Sequence, residues 1–246
     1  MTILVTGSSG QLGRPTIEAL RAVGHDARGL TRSGGPGAVA VDLATGHGLA
    51  EALDGVDTVV HAATSNGSKD IDLARRLVAA AEQAGVGHLV LISIVGIDRI
   101  PLGFYRDRLR IEQLVQGSRV PVTIQRATQF HSFVERFFTA QRFSPVIVSP
   151  RWRFQPIAVE EVGVRLAELA VGAPRGMVED IGGPEQLTAR ELHAMWRRAT
   201  GGRRAFVDFR LPGKLSAAYD AGADLVPGAP YGTGTFEEYL QETTRR

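Results

Sequence analysis

Eight residues near the amino terminus, Thr6-Gly7-Ser8-Ser9-Gly10-Gln11-Leu12-Gly13, have the types and spacing of a loop that holds phosphate. They follow a short apolar, strand-like run, Ile3-Leu4-Val5, and lead into a helical stripe of Ile17, Leu20 and Val23, so the loop stands where a strand passes into a helix. Gly7 permits the tight turn. Gly10 has no side chain, so the backbone can approach a pyrophosphate, and Gly13 lets the helix pack closely on the strand. Free N–H groups and the helix dipole then attract the phosphates. The spacing G-x-x-G-x-x-G differs from the dinucleotide fingerprint G-x-G-x-x-G, and the strand–loop–helix context is what supports the reading. No Gly-Lys-Ser/Thr follows, which excludes a Walker A loop.

The end of the next strand bears on which dinucleotide is held. An NAD site places an acid there for the ribose diol. This chain has Gly29-Leu30-Thr31-Arg32-Ser33, and its nearby acid, Asp26, falls at the opposite end of the strand. Arg32 offers a planar, permanently charged fork that suits a 2′-phosphate, which predicts NADP(H); the other reading of Arg32 is an ordinary surface arginine. Asp42-Leu43 after the third strand is placed to meet the adenine, or else Asp42 caps the loop that follows.

Such groups need a frame that aims strand ends at one edge. Segments 27–31, 39–41, 57–61, 88–93 and 120–124 read as strands, and 70–84 and 104–116 as helices. Alternating strands and helices give parallel βαβ units with right-handed crossovers, hence an α/β fold with a doubly wound parallel sheet of the Rossmann type. After about residue 127 the rhythm changes. Segments 146–148 and 151–154 read as short strands and 159–171 as a helix. Thr188 and Glu191 form a capping box, and 211–234 reads as loop with a short helix. The expected organisation is one unit. Residues 1–128 plus part of 146–182 form the dinucleotide core, and 129–145 with 183–246 form a small substrate-side α/β region.

Composition narrows the remaining choices. The 246 residues include no cysteine, which excludes disulfides, thiolate catalysis and cysteine–zinc sites. No His/Asp/Glu cluster has metal-ligand spacing. The net charge is +2, and arginine pairs such as Arg197-Arg198 and Arg203-Arg204 read as solvated surface, without the interleaved aromatics of a nucleic-acid groove. No apolar stretch reaches membrane-spanning length and no signal segment is evident, so the expected location is the cytoplasm.

In the order of its motifs the chain resembles the NmrA-like NAD(P)H-binding group of atypical short-chain dehydrogenase/reductases. The matching pieces are 6–13, Leu30-Thr31-Arg32, Asp42-Leu43, 59–63, Leu91-Ile92-Ser93, 104–112, 123–131, 155–159 and Ile181-Gly182-Gly183-Pro184. The resemblance implies nucleotide contacts from Gly7, Ser9, Gln11, Leu12 and Arg32, with Ala62-Ala63-Thr64 lying along the cofactor. It also implies a substrate pocket opening at Phe104, Gln129, Phe130 and His131.

Reducing members of that group use a Tyr-x-x-x-Lys pair on one helix face, with a serine at the end of the preceding strand. The tyrosine donates a proton, while the lysine lowers the pKa of its hydroxyl and holds the ribose. Here the aligned pair is Phe104 and Arg108, in Phe104-Tyr105-Arg106-Asp107-Arg108. Phe104 has no proton to give. Arg108 can still bind ribose or phosphate but does not readily deprotonate. The candidate catalytic groups are therefore Ser93, which keeps the expected position, Tyr105, about 100° around the helix from Phe104, and His131. The expected activity is NADPH-dependent reduction of a small hydrophobic carbonyl, quinone or enone by a monomer or homodimer. A non-catalytic NADP(H) sensor and a non-redox isomerase or cyclase are the alternatives.

Overall fold

Strand β1 (Thr2–Thr6) is buried from Ile3 to Thr6, as a parallel strand covered by helices on both faces must be. The computed structural model describes residues 1–64, 67 and 69–245. After β1 the chain runs through α1 (Gly13–Ala22), β2 (Asp26–Thr31), β3 (Ala38–Ala40), α2 (Leu49–Leu53), β4 (Thr58–His61), α3 (Lys69–Ala84), β5 (His88–Ile94), α4 (Gly103–Gln116) and β6 (Val122–Ala127). It continues through α5 (His131–Thr139), β7 (Val146–Pro150), β8 (Arg153–Phe154), α6 (Val159–Val171), β9 (Gly176–Met177), β10 (Leu187–Thr188), α7 (Ala189–Thr200), β11 (Ala205–Phe209), α8 (Lys214–Asp220) and α9 (Phe236–Thr244).

The main sheet is parallel, in the order β3-β2-β1-β4-β5-β6-β9. Its direction of growth reverses between β1 and β4, the switch point where open α/β sheets bind ligands. Thr6 is in register with Leu30 on one side and His61 on the other. The Rossmann expectation is met.

The chain divides into two units. The first comprises Met1–Ser93, Gly103–Arg126 and Val162–Glu179, and the second the rest. In the first, alternate strand residues Leu4, Leu30, Val59, Leu89 and Ile124 pack against Leu53 of α2, Leu77 and Ala81 of α3, and Ile111 and Val115 of α4. On the other face α6 lies so close to α1 that a Cβ on Gly163 would stand 3.0 Å from Pro15. Thr58 Oγ1 donates to the Ala170 carbonyl at 3.2 Å, which fixes the end of α6 to β4.

The second unit pairs β7 with β11 in parallel and β8 with β10 antiparallel. Trp152 stacks on Tyr219 at 4.0 Å, and Phe138 packs against His193 and Trp196. The capping box at Thr188 and Glu191 is present, and an unanticipated second one, Thr235 with Glu238, starts α9. Two strand expectations shift. The sixth strand begins at Val122 and not 120, since Pro121 offers no N–H. The strand expected over 151–154 shrinks to Arg153–Phe154, because the Trp152 N–H turns back to the Pro150 carbonyl at 2.8 Å. Among the described residues no helix is long and apolar enough to cross a membrane.

Candidate functional site

The phosphate-type loop occupies the switch point, and its glycines are set by close approach. Gly7 lies at φ +69°, and a Cβ there would stand 2.8 Å from Ala63 Cα, so the loop can pass the end of β4 only without a side chain. A Cβ on Gly13 would meet Ser8 Cα at 2.8 Å. Helix α1 begins at Gly13 with no side-chain cap and no acid in its first turn. Its positive end is left to an external anion.

Two further contacts hold the loop. Buried Ser8 donates its hydroxyl to the Leu30 carbonyl at 3.1 Å, and it fits because Gly29 has no side chain, since a Cβ there would stand 2.6 Å from Ser8 Oγ. Thr6 Oγ1 accepts the Ala63 N–H at 3.2 Å and lies 2.8 Å from His61 Nδ1. His61 is fully enclosed, and burial, then the Arg108 charge, lower its pKa to about 4, so it stays neutral at physiological pH. Together these contacts bring Gly7, Ala62 and Ala63 into one cradle.

Beyond it, Ser9, Gly10 and Gln11 are exposed while Leu12 is buried. Arg32, just past β2, is exposed and has no carboxylate partner among the described residues. A cleft of about 230 Å³ at the preceding Thr31 has Ser8, Ser9, Arg14, Glu18 and Arg21 among its lining residues. Arg14 is also exposed and without a carboxylate partner among the described residues. Asp42 makes the loop-capping contact, accepting the Ala44 N–H at 2.9 Å, and Leu43 joins the core.

The helix that would carry a Tyr-x-x-x-Lys pair is arranged differently. Arg108 is buried, and its guanidinium donates to Asp70 Oδ2 at 2.6 Å and to Thr64 Oγ1, which itself donates to Asp70 at 2.7 Å. Burial pulls the Arg108 pKa below its ordinary value, and Asp70 opposes that pull. The same guanidinium lies 5.2 Å from the ring of Phe104, which is 37% exposed. Tyr105 turns to the buried side of α4. Ser93, at the end of β5, is 4% exposed, and its hydroxyl has no hydrogen-bond partner among the described residues. A buried hydroxyl without a partner costs free energy unless a ligand completes it.

The remaining candidates lie in the second unit. Gln129 donates to Asp224 at 3.1 Å and accepts the Gln155 N–H at 3.3 Å. Phe130 is half-buried and precedes the first turn of α5. His131 is 3% exposed and packs against Phe236 and Tyr239 of α9. Burial lowers its pKa to about 4 against the opposing pull of the Pro156 carbonyl, Glu161 and Glu238.

The profile of an NAD(P)H-binding family matches residues 7–135. The chain belongs to this family, among the atypical short-chain dehydrogenase/reductases. This NAD(P)H-binding chain is 32% identical, over 81% of its length and 74% of the relative's, to a (4-alkanoyl-5-oxo-2,5-dihydrofuran-3-yl)methyl phosphate reductase of Streptomyces griseus. Its fold is shared with an NADPH-dependent quinone oxidoreductase of Escherichia coli (TM-score 0.81, 19% identity, 98% of this chain and 99% of that one). A triphenylmethane reductase of Citrobacter also shares it (TM-score 0.77, 18% identity, 99% and 100%). The site fits NADP(H): the cradle at Gly7 is one a Cβ would fill, and α1 leaves an uncapped positive end for a pyrophosphate.

Ser8, Arg14, Asp70 and His61 were not singled out from the sequence. The usable signal for Ser8 was Gly29, since a lone glycine inside a strand marks a close approach of other atoms. Asp70 carried no local signal, because its partner Arg108 is 38 residues away.

Proposed function

We propose that this chain is an NADPH-dependent reductase that delivers hydride to a carbon of a small conjugated acceptor, a quinone or an enone. The observation that carries the reading is the contrast between an intact cofactor cradle and Phe104 at the proton donor's position. The cofactor supplies the hydride. When hydride reaches a carbonyl carbon, an alkoxide forms, which is strongly basic and needs an acid beside it. When hydride reaches the far carbon of a conjugated system, charge spreads into an enolate or phenolate, which water can protonate. Ser93, with its unpartnered hydroxyl, is suited to donate a hydrogen bond to that oxygen, and Phe104 offers an apolar wall. Tyr105 and His131 are not needed as acids in this scheme.

The relatives agree with this choice. The furanone substrate of the Streptomyces enzyme carries a ring double bond beside carbonyl groups, and quinones and triphenylmethane dyes are conjugated throughout. Arg14 lines the cleft and exposed Arg32 directly follows its lining residue Thr31, and guanidinium groups there suit a 2′-phosphate, which favours NADPH over NADH.

The test is NADPH oxidation with quinones, unsaturated furanones and saturated ketones. The expected result is turnover of conjugated acceptors and none of saturated ketones. Silence toward all of them, with NADPH still bound, overturns the proposal and leaves an NADP(H) sensor. The Arg108–Asp70 pair favours that second reading, because it ties down a charge that reductases of this group keep for the ribose. Turnover of any acceptor, conjugated ones included, that appears only in the Phe104→Tyr, Arg108→Lys double variant points the same way.

A further inference from the structure

The second unit holds a cavity of about 440 Å³ lined by Arg136, Thr139, Ala140, Arg142, Trp196 and Arg204. It sits at the carboxyl end of α5, roughly 12 Å along the helix from His131. Three guanidinium groups line it, and none has a carboxylate partner among the described residues. Arg204 is half-buried and held in place: its Nη1 donates to the Gln141 carbonyl at 2.6 Å, and its Cζ lies 5.4 Å from the Trp196 ring centroid.

The surrounding chain is unusually basic. Segments 136–153 and 196–214 carry ten arginines and lysines against one acid, Asp208, in a chain whose net charge is only +2. Asp208 is taken up by Arg151 at 3.1 Å and Arg190 at 2.6 Å, so it neutralises nothing in the cavity. The field reaches His193, whose pKa burial and then Arg197, Arg204 and Arg190 lower. Converging guanidinium groups repel one another, and a cluster of them without acids is the arrangement that binds a dianion through charge-assisted, forked hydrogen bonds.

We propose that this cavity binds a small phosphorylated molecule, with the phosphate held by Arg136, Arg142 and Arg204 and the organic part against Ala140 and the edge of Trp196. The volume falls within the range of small-molecule sites and exceeds what a bare phosphate would fill. The site lies in a different unit from the cofactor cradle and does not depend on the reductase reading.

The test is calorimetric titration of the whole chain, with saturating NADP⁺ to occupy the phosphate loop, using phenyl phosphate and inorganic phosphate separately. Phenyl phosphate binding that weakens at least about tenfold in R136Q/R142Q and recovers only in part in R136K/R142K, which restores the charge without the fork, supports the site. R136Q/R142Q removes two exposed charges and leaves the bonds of Arg204 in place, and its NADP⁺ affinity should be unchanged. Equal affinity for the two ligands identifies a site for the free dianion and overturns the organic part of the proposal. No association of either ligand at about 10 mM, or binding indifferent to R136Q/R142Q, overturns it entirely.

Discussion

Arg32 and Arg108 flank the same dinucleotide cradle yet are opposites. Arg32 is exposed, past the end of a strand, with no carboxylate partner among the described residues. Arg108 is buried on a helix and already neutralised by Asp70 at 2.6 Å. An unpaired, hydrated charge is available to a ligand at little cost. A buried paired charge contributes through the protein, and removing its partner strands it in a medium that solvates it poorly. The difference teaches that the same side chain serves recognition in one place and local architecture in the other. Arg108, which the resemblance places where a lysine would hold the ribose, is paired in the second way.

Asp70→Ala bears most heavily on this contrast. It leaves Arg108 buried and unpaired and should destabilise the fold by about 3–5 kcal/mol in denaturant unfolding. An unchanged midpoint would mean that Arg108 is solvated after all, like Arg32.

Acid should have the next largest effect. Folded His61 and His131 protonate only near pH 4, against an ordinary value of 6.5. The unfolded chain therefore binds more protons across that window, and stability falls as pH drops from 6.5 toward 4, by roughly 3 kcal/mol for each imidazole. Asp224, raised to about 6 by burial, opposes this between about pH 4 and 6 but offsets only part of it. Thermal melts of the chain and of His61→Asn across this range measure the slope, which the variant should flatten. An equal slope in both would detach His61 from the buried network around Arg108.

Arg32→Ala should weaken NADPH binding about 10- to 100-fold, leave NADH binding within a factor of about two and leave the melting temperature unchanged. An equal loss for both cofactors would remove the 2′-phosphate from the account of Arg32. Arg14→Ala should give the smallest effect, a few-fold loss for NADPH alone, because it contributes one flexible exposed charge at the cleft edge. A larger loss than that of Arg32→Ala would reverse the assignment of the main phosphate contact.

Much of the first unit was legible in the chain because its signals are local. The loop of 6–13 lies within one strand–helix passage, buried parallel strands show as apolar runs, and Gly24 and Gly85 mark helix ends. The second unit was less legible. Helix α5, strand β11 and helix α9 carried no recognised boundary signal, although Thr235 and Glu238 spell a capping box that could have revealed α9.

The sheet type and the place of the phosphate-type loop could be read from the chain alone. Those properties follow from residue type and short-range spacing. Folding alone settles that Arg108 is spent on Asp70, that Ser93 keeps an unsatisfied hydroxyl, and that Arg204 comes beside Arg136 and Arg142 in one cavity. Each of these depends on which remote residues the fold brings within a few ångströms, and electrostatic and hydrogen-bond energies are set by that distance and by the water excluded along with it.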